Sequence, residues 1–149
     1  MPEAVQTVLA FDFGLKRIGI AAGDTLTGSA SPRPAAPVGG AGPDWAVIER
    51  EVLSLKPARL VVGAPYNVDG TAGALLPSVR WFAHELARRF ALPVSLVDER
   101  FSSLEASAAL KARRSAGERR RTRRADIDST AAAVILERWL SGERTDELT

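Results

Sequence analysis

The sequence predicts a single α/β domain, because two β-like segments at its start are followed by apolar segments that alternate with amphipathic helical ones. The 149 residues, 46% of them hydrophobic, are enough to form one core. Cysteine is absent, and no segment approaches the roughly eighteen apolar residues of a membrane-spanning helix. We therefore expect one cytoplasmic domain over residues 1–141, with a short polar tail at 142–149 and no membrane partner.

Apolar periodicity and turn residues predict the order of the elements. Two β-like segments separated by a turn at Gly14 and Leu15 indicate a hairpin. Pro32 and Pro34 place the third strand at an edge of the sheet. Apolar strands between helices indicate parallel pairing, so we predict a mixed five-stranded sheet with helices on both faces. The predicted strands are 5–13, 16–23, 28–38, 59–63 and 94–97, and the predicted helices are about 44–55, 71–90, 102–112 and 126–140.

Positive charge is concentrated in residues 111–124, KARRSAGERRRTRR, which we call the basic segment. It holds eight Lys or Arg and one Glu, a local charge of +7, whereas the whole chain carries +2 and the remainder therefore −5. Seven of the eight are Arg, whose planar guanidinium binds phosphate through two hydrogen bonds. We predict that this segment is mobile and contacts nucleic acid, with a solvated linker as the alternative. The proposed contacts are Arg119, Arg120, Arg121, Arg123 and Arg124.

Two acids stand out against the strands around them. Asp12 interrupts the apolar first strand, VLAFDFG, where an uncompensated charge would be costly. A hydrogen bond to the backbone of the nearby turn would explain Asp12 equally well. Glu99 follows the strand at 94–97, at the carboxyl end, where open α/β sheets place their ligand sites. Both positions are therefore candidates for a functional site.

The third candidate acid is either Asp126 or Asp128, and helical spacing distinguishes between them. Steps of four, seven and eleven residues from Asp128 follow an apolar stripe, which we expect to face the sheet. Its members are Ala132, Ile135 and Trp139. The same steps from Asp126 follow a more polar stripe, which we expect to face solvent. Its members are Thr130, Ala133 and Glu137. Asp128 is thus the predicted site residue, and Asp126 the predicted N-cap.

The donor types available restrict the metal chemistry. The chain has no Cys and a single His, His84, so carboxylates must carry any metal. Asp12, Glu99 and Asp128 could converge on one sheet edge and bind Mg²⁺ or Mn²⁺. Two such ions could activate a water molecule and stabilise the leaving oxygen in phosphodiester hydrolysis. Three unrelated acids would give the same pattern in the sequence.

Four blocks of the sequence resemble a known family. They are AFDFGLKRIGIAAGD (10–24), VVGAPYNVDGTAG (61–73), VDERFSS (97–103) and DIDSTAAAVIL (126–136). In this order they are similar to the blocks of the YqgF/RuvX family, described both as Holliday-junction resolvases and as pre-16S ribosomal RNA nucleases. The resemblance implies a ribonuclease-H-like fold and a nuclease that acts on precursor ribosomal RNA, branched DNA or both.

The resemblance also assigns site residues. It implies that Asp12 in the first block, Glu99 in the D-E-R block and Asp128 in the last block are the catalytic, metal-binding acids. The segment at 63–71 is similar to the family's G-x-P-x-N-x-D-G-T loop, where ordinary turn chemistry would also explain the polar residues. The further candidate contacts to nucleic acid are Lys16, Arg17, Asn67, Asp69 and Arg100.

Two other functions fit parts of the sequence. A D-x-G hairpin also occurs in ATP-using phosphotransferases, but those enzymes clamp nucleotide between two such domains and this chain has room for one. A non-catalytic nucleic-acid-binding factor in ribosome maturation would need only the basic segment, but the three acids would repel phosphates unless a metal neutralised them. A symmetric junction cut requires a dimer whereas RNA trimming does not, so a monomer and a homodimer are both compatible with the sequence.

Overall fold

The computed structural model describes residues 4–64, 74–98, 124–142 and 146–148, and the backbone alone for 98, 124–128 and 146–148. The elements in these residues are, in chain order, β1 (Thr7–Phe13), β2 (Arg17–Asp24), β3 (Ala30–Gly39), β4 (Gly42–Pro43), α1 (Trp45–Leu55), β5 (Arg59–Ala64), α2 (Leu76–Phe90), β6 (Val94–Asp98), α3 (Arg124–Leu140) and β7 (Asp146–Leu148).

The strands form one mixed sheet in the order β4-β3-β2-β1-β5-β6-β7. Strands β1, β2 and β3 are antiparallel neighbours, whereas β5 runs parallel to β1 and β6 parallel to β5. The predicted α/β class and all five predicted strands are confirmed. The described residues add two short edge strands, β4 and β7, so the predicted polar tail contains a strand that pairs with β6.

Strand alternation gives the sheet two buried faces. On one face Leu9 and Phe11 of β1 belong to a large cluster with residues of α1 and α2. On the other face Val8 and Ala10 cluster with residues of α3. We call this second side the α3 face. Because successive residues of a strand point to opposite sides, every residue of β1 can be assigned to one of these two faces.

The edge position predicted for the proline-rich strand is confirmed. Strand β3 pairs with β2 along most of its length but with β4 only at Val38 and Gly39. The β2–β3 register also shifts, because Ile18 pairs with Ala36 whereas Ile20 pairs with Arg33. Strand β3 therefore carries one extra residue, a β-bulge, at this point.

The first residues of the helices show which sequence signals predict a helix start correctly. Helix α1 begins after Asp44, whose carboxylate accepts a hydrogen bond of 3.2 Å from the amide of Ala46. Helix α2 begins at Leu76, later than the predicted 71, with Pro77 in its first turn, where proline is favoured. Helix α3 begins at Arg124, so the predicted N-cap at Asp126 is wrong, and this residue lies inside the first turn.

The predicted helix at 102–112 lies outside the described residues. None of the helices that the structure describes is long and apolar enough to span a membrane.

Candidate active site on the α3 face

Asp12 lies half-buried on the α3 face, near the end of β1. Val8 and Ala10, four and two residues earlier, are fully buried on this face, and alternation places Asp12 on the same side. The structure thus puts a carboxylate at the end of an apolar surface, as the sequence predicted. An acid in this environment needs hydrogen bonds or a cation to offset its lost hydration.

Glycine lies beside Asp12 on both neighbouring strands. Gly19 of β2 is its register partner. On the other side Phe11 pairs with Val62, so the same parallel register sets Asp12 beside Gly63. Glycine has no side chain, so the nearest side chains of β2 on this face are the diagonal neighbours Arg17 and Ala21. Glycines within strands often mark a place where a ligand or another backbone comes close, and two of them flank this acid.

Aromatic packing on the opposite face holds the backbone around Asp12. Phe11 and Phe13, its two chain neighbours, contact Phe82 of α2 with ring centroids 5.7 and 5.2 Å apart. Phe82 also stacks on Trp45 of α1 at 5.6 Å. Such contacts add to the free energy of burial and restrict the rings to a few arrangements. The strand segment that carries Asp12 is therefore held by aromatic contacts of the residues directly before and after it.

The turn after β1 places basic residues at the same end of the sheet. A Cβ on Gly14 would lie 2.6 Å from the carbonyl oxygen of Arg17, so the tight turn excludes any side chain there. Lys16 is exposed in the turn, and Arg17 begins β2 on the same face as Gly19 by alternation. Both predicted contacts thus lie at the same end of the sheet as Asp12.

Helix α3 crosses this face toward the start of β1. Ile135, in its later half, belongs to one cluster with Val8 and Ala10. Ala132, one turn earlier, clusters with Ala21, the register partner of Ala10. Residues nearer the beginning of α3 therefore pack against positions of the sheet that lie nearer Asp12.

Ser129, one turn before Ala132, contacts the sheet still nearer Asp12, and this contact locates the backbone of the adjacent Asp128. The Ser129 hydroxyl accepts a hydrogen bond of 3.3 Å from the backbone amide of Ile20. The residue before Ile20 is Gly19, the register partner of Asp12. Asp128 directly precedes Ser129, so its helical backbone lies at the Asp12 end of the α3 face. Two of the three predicted acids are therefore carried by elements that meet at this end.

The prediction from helix faces is only partly right. The stripe predicted for Asp128 is buried throughout, at Ala132, Ile135 and Trp139. The stripe predicted to face solvent is exposed only at Glu137, since Thr130 and Ala133 are also buried. The three alanines at 131–133 let α3 lie so close to the sheet that most of its circumference is covered. Burial along the helix thus does not by itself distinguish Asp128 from Asp126.

The third acid and most of the predicted nucleic-acid contacts lie outside the described residues. Strand β6 ends at Asp98, directly before Glu99, and Val97 packs on the α3 face. Among the described residues, no group of three acidic, His or Cys side chains could hold a metal, so the convergence of the acids stays a prediction. Arg124 is the first residue of α3. The other positions outside the described part are Asn67, Asp69, Arg100, Arg119, Arg120, Arg121 and Arg123.

The sequence interpretation missed Ser129, a buried polar residue of the site region. The signal was present, because steps of three and seven residues lead from Ser129 to the apolar Ala132 and Leu136. A serine on such a buried stripe must find hydrogen-bond partners in the fold.

The sheet order, the acid in the first strand and the last helix over the same face define the ribonuclease-H-like class of nuclease folds. Two solved structures of Thermus thermophilus RuvC show the same fold. One, in complex with a Holliday junction substrate, has a TM-score of 0.55 and 14% identity, covering 96% of this chain and 99% of that one. The other has a TM-score of 0.52 and 17% identity, covering 95% and 99%.

The family is shown by the sequence itself. A family model described as RuvX, Holliday junction resolvase, matches residues 6–142, and the chain belongs to this family. A relative from Legionella pneumophila (strain Paris), named "Putative pre-16S rRNA nuclease", is 44% identical over 140 residues, covering 94% of this chain and 97% of the relative. A relative of the same name from Xanthomonas campestris pv. campestris (strain 8004) is 43% identical over 146 residues, covering 95% and 94%. The resemblance stated from the four sequence blocks is thereby confirmed.

Proposed function

We propose that this protein is a divalent-metal-dependent nuclease that hydrolyses phosphodiester bonds in structured nucleic acid. The observation that carries the proposal is the half-buried Asp12, flanked by two glycine positions and lying on the face that α3 covers. This location places the carboxylate at the end of the sheet where the β1–β2 turn supplies Lys16 and Arg17.

Asp12, Glu99 and Asp128 are the residues that would hold Mg²⁺ or Mn²⁺. Carboxylate oxygens are the ligands that these hard cations prefer, and the half-buried Asp12 fits that donor chemistry. Bound there, the cations would activate a water molecule and neutralise charge that develops on the phosphate. Glu99 is included because it directly follows β6, whose Val97 packs on the α3 face. Without a cation, the acids would repel a phosphate backbone.

Precursor 16S ribosomal RNA is the substrate that we favour. The relatives named for it are 42–44% identical and match nearly the whole of this chain. Branched DNA is the second candidate, because the family model carries the description Holliday junction resolvase. The likeness to RuvC concerns the fold alone at 14% identity, so it does not favour junction DNA.

A side-by-side cleavage assay tests the proposed function. Purified protein with Mg²⁺ or Mn²⁺ is incubated with a precursor 16S RNA fragment, a four-way DNA junction, a flap and single-stranded DNA. We expect the precursor RNA to be cut fastest. Fastest cutting of the junction would instead support a resolvase, and the absence of cutting on all four substrates would contradict a nuclease. An Asp12→Asn preparation purified in parallel controls for contaminating nucleases.

The basic segment should act as a phosphate clamp. Replacing its five proposed arginines by Gln should weaken binding similarly for different sequences, because backbone contacts do not read bases. For each phosphate that the variant no longer neutralises, the slope of log affinity against log salt concentration should fall by about 0.9 for duplex DNA and about 0.7 for single strands. The replaced residues are Arg119, Arg120, Arg121, Arg123 and Arg124.

A control for the position of the removed charges uses Arg50 and Lys56, exposed basic residues in and just after α1 on the opposite side of the sheet. Their replacement by Gln should leave both the affinity and the salt slope nearly unchanged. If the five-arginine variant behaves like this control, the basic segment is a solvated linker.

A further inference from the structure

The Ser129 hydroxyl forms a bridge between two strands of the sheet. It accepts a hydrogen bond from the backbone amide of Ile20 in β2, at 3.3 Å, and donates one to the backbone carbonyl of Arg33 in β3, at 2.7 Å. Ile20 and Arg33 are register partners, which in a regular ladder can bond to each other directly. The Ser129 side chain of α3 thus lies between two strands, where a direct hydrogen bond between their backbones would otherwise form.

The bulge in β3 explains why this position is available. The register shift between Ile18 and Ile20 leaves an extra residue in β3 and disrupts the local ladder. An amide and a carbonyl left without a ladder partner in the interior would each cost free energy. Ser129 is 2% exposed and satisfies both, so its position is set by two strands at once.

Arg33 is itself held from the opposite side of the sheet. Its guanidinium donates two hydrogen bonds, of 3.0 and 3.1 Å, to the carboxylate of Glu51 in α1. Glu51 is 6% exposed, and its hydrogen bonds and charge raise the pKa of Arg33 above the ordinary value. The carbonyl that accepts the hydrogen bond from Ser129 therefore belongs to a residue fixed between α1 and α3.

We propose that Ser129 is the positioning residue for Asp128, an inference that rests on the proposed nuclease function. The two hydrogen bonds of Ser129 fix the height and the rotation of the first turns of α3 above β2. Asp128 is the adjacent residue, and Gly19, the partner of Asp12, is adjacent to Ile20. The bridge thus sets the distance between the backbones that carry two of the acids.

Ser129 thereby acts through Asp128 without contacting substrate or metal. Residues that orient metal ligands typically matter by about 10- to 100-fold in metal affinity or activity when removed. A misplacement of about 1 Å in a catalytic group can cost a similar factor. The proposed role therefore predicts a functional loss larger than any change in the stability of the fold would explain.

The test compares Ser129→Ala with Ile135→Val, a variant of the same helix two turns away from the bridge. The measurements are Mn²⁺ affinity by calorimetric titration of the protein without nucleic acid, kcat and KM for cleavage, and the melting temperature. Ser129→Ala should weaken Mn²⁺ binding and lower kcat by about tenfold or more, with KM nearly unchanged. Ile135→Val should keep both values at a comparable drop in melting temperature. If Ser129→Ala matches Ile135→Val in both values, Ser129 is merely structural.

A double variant separates this inference from the proposed function. If Ser129 acts through Asp128, then Ser129→Ala with Asp128→Asn should be no worse than Asp128→Asn alone. Additive losses would contradict the positioning role while leaving the nuclease intact. Full activity and Mn²⁺ binding in Asp128→Asn alone would overturn the positioning role and leave the nuclease function standing, whereas failure of the wild type to cleave would overturn the proposed function. Should Ser129→Ala fail to fold, Ser129→Cys fills the buried site with a slightly larger side chain and a much weaker donor, and is measured in the same way.

Discussion

The Asp12→Asn variant should lose cleavage by about a thousandfold or more while it remains folded and still binds nucleic acid. The substitution keeps the shape of the side chain but removes a negative charge and a strong metal ligand. The register partner of Asp12 on β2 is Gly19, so no side chain directly opposite on that strand could replace the missing carboxylate. Binding should be unchanged or slightly tighter, because the basic surfaces are intact and one repulsive charge is gone. Single-turnover cleavage, fluorescence anisotropy and the melting temperature measure the three properties.

Asp24→Asn is the matched control for this experiment. Asp24 ends β2 at the other end of the same hairpin and accepts hydrogen bonds from the backbone amides of Thr27 and Leu26, at 2.8 and 3.0 Å. The hydrogen bonds from Thr27 and Leu26 lower its pKa, and its role is to fix the β2–β3 turn. Its replacement should keep cleavage. Equal cleavage by Asp12→Asn and Asp24→Asn would remove Asp12 from the site.

Asp128→Asn should also lose cleavage by several orders of magnitude, at nearly unchanged melting temperature. Its backbone lies next to the Ser129 bridge, at the Asp12 end of the α3 face. The same substitution at Asp126 is the control, because this residue lies in the first turn of α3. A negative charge there interacts favourably with the helix dipole, so Asp126→Asn should cost only about 0.3–1 kcal/mol of stability and keep most of the activity.

The comparison of these two variants matters because burial along α3 does not choose between the two acids. Both variants are assayed for cleavage and for thermal unfolding under the same conditions. Loss of cleavage in Asp126→Asn, with retention in Asp128→Asn, would move the site by two residues along the helix.

The main strands were predictable because their signals are local. Alternation and apolar runs gave all five long strands, and the prolines of β3 gave its edge position. The short β4 and β7 were missed because two or three residues carry no periodicity, and their pairing depends on a neighbouring backbone.

The candidate site was predictable where a residue violated its local pattern. Asp12 stood out as an acid in an apolar strand, and its place on the α3 face follows from alternation alone. The depth at which α3 lies on the sheet was not predictable in this way, because it depends on Ala21 and the small residues opposite the three alanines. Ser129 belongs to the same category, since its partners are supplied by a bulge far away in the sequence.

Reversible dependence of cleavage on a divalent cation tests the central claim most directly. The protein is stripped with excess chelator, assayed on precursor 16S RNA, and then assayed again after Mg²⁺ or Mn²⁺ is added back, with Asp12→Asn treated in parallel. We predict that the stripped protein is inactive, that the added cation restores cleavage to the wild type, and that it restores none to Asp12→Asn. Full cleavage by the wild type in excess chelator would contradict a carboxylate-bound metal as the basis of the activity.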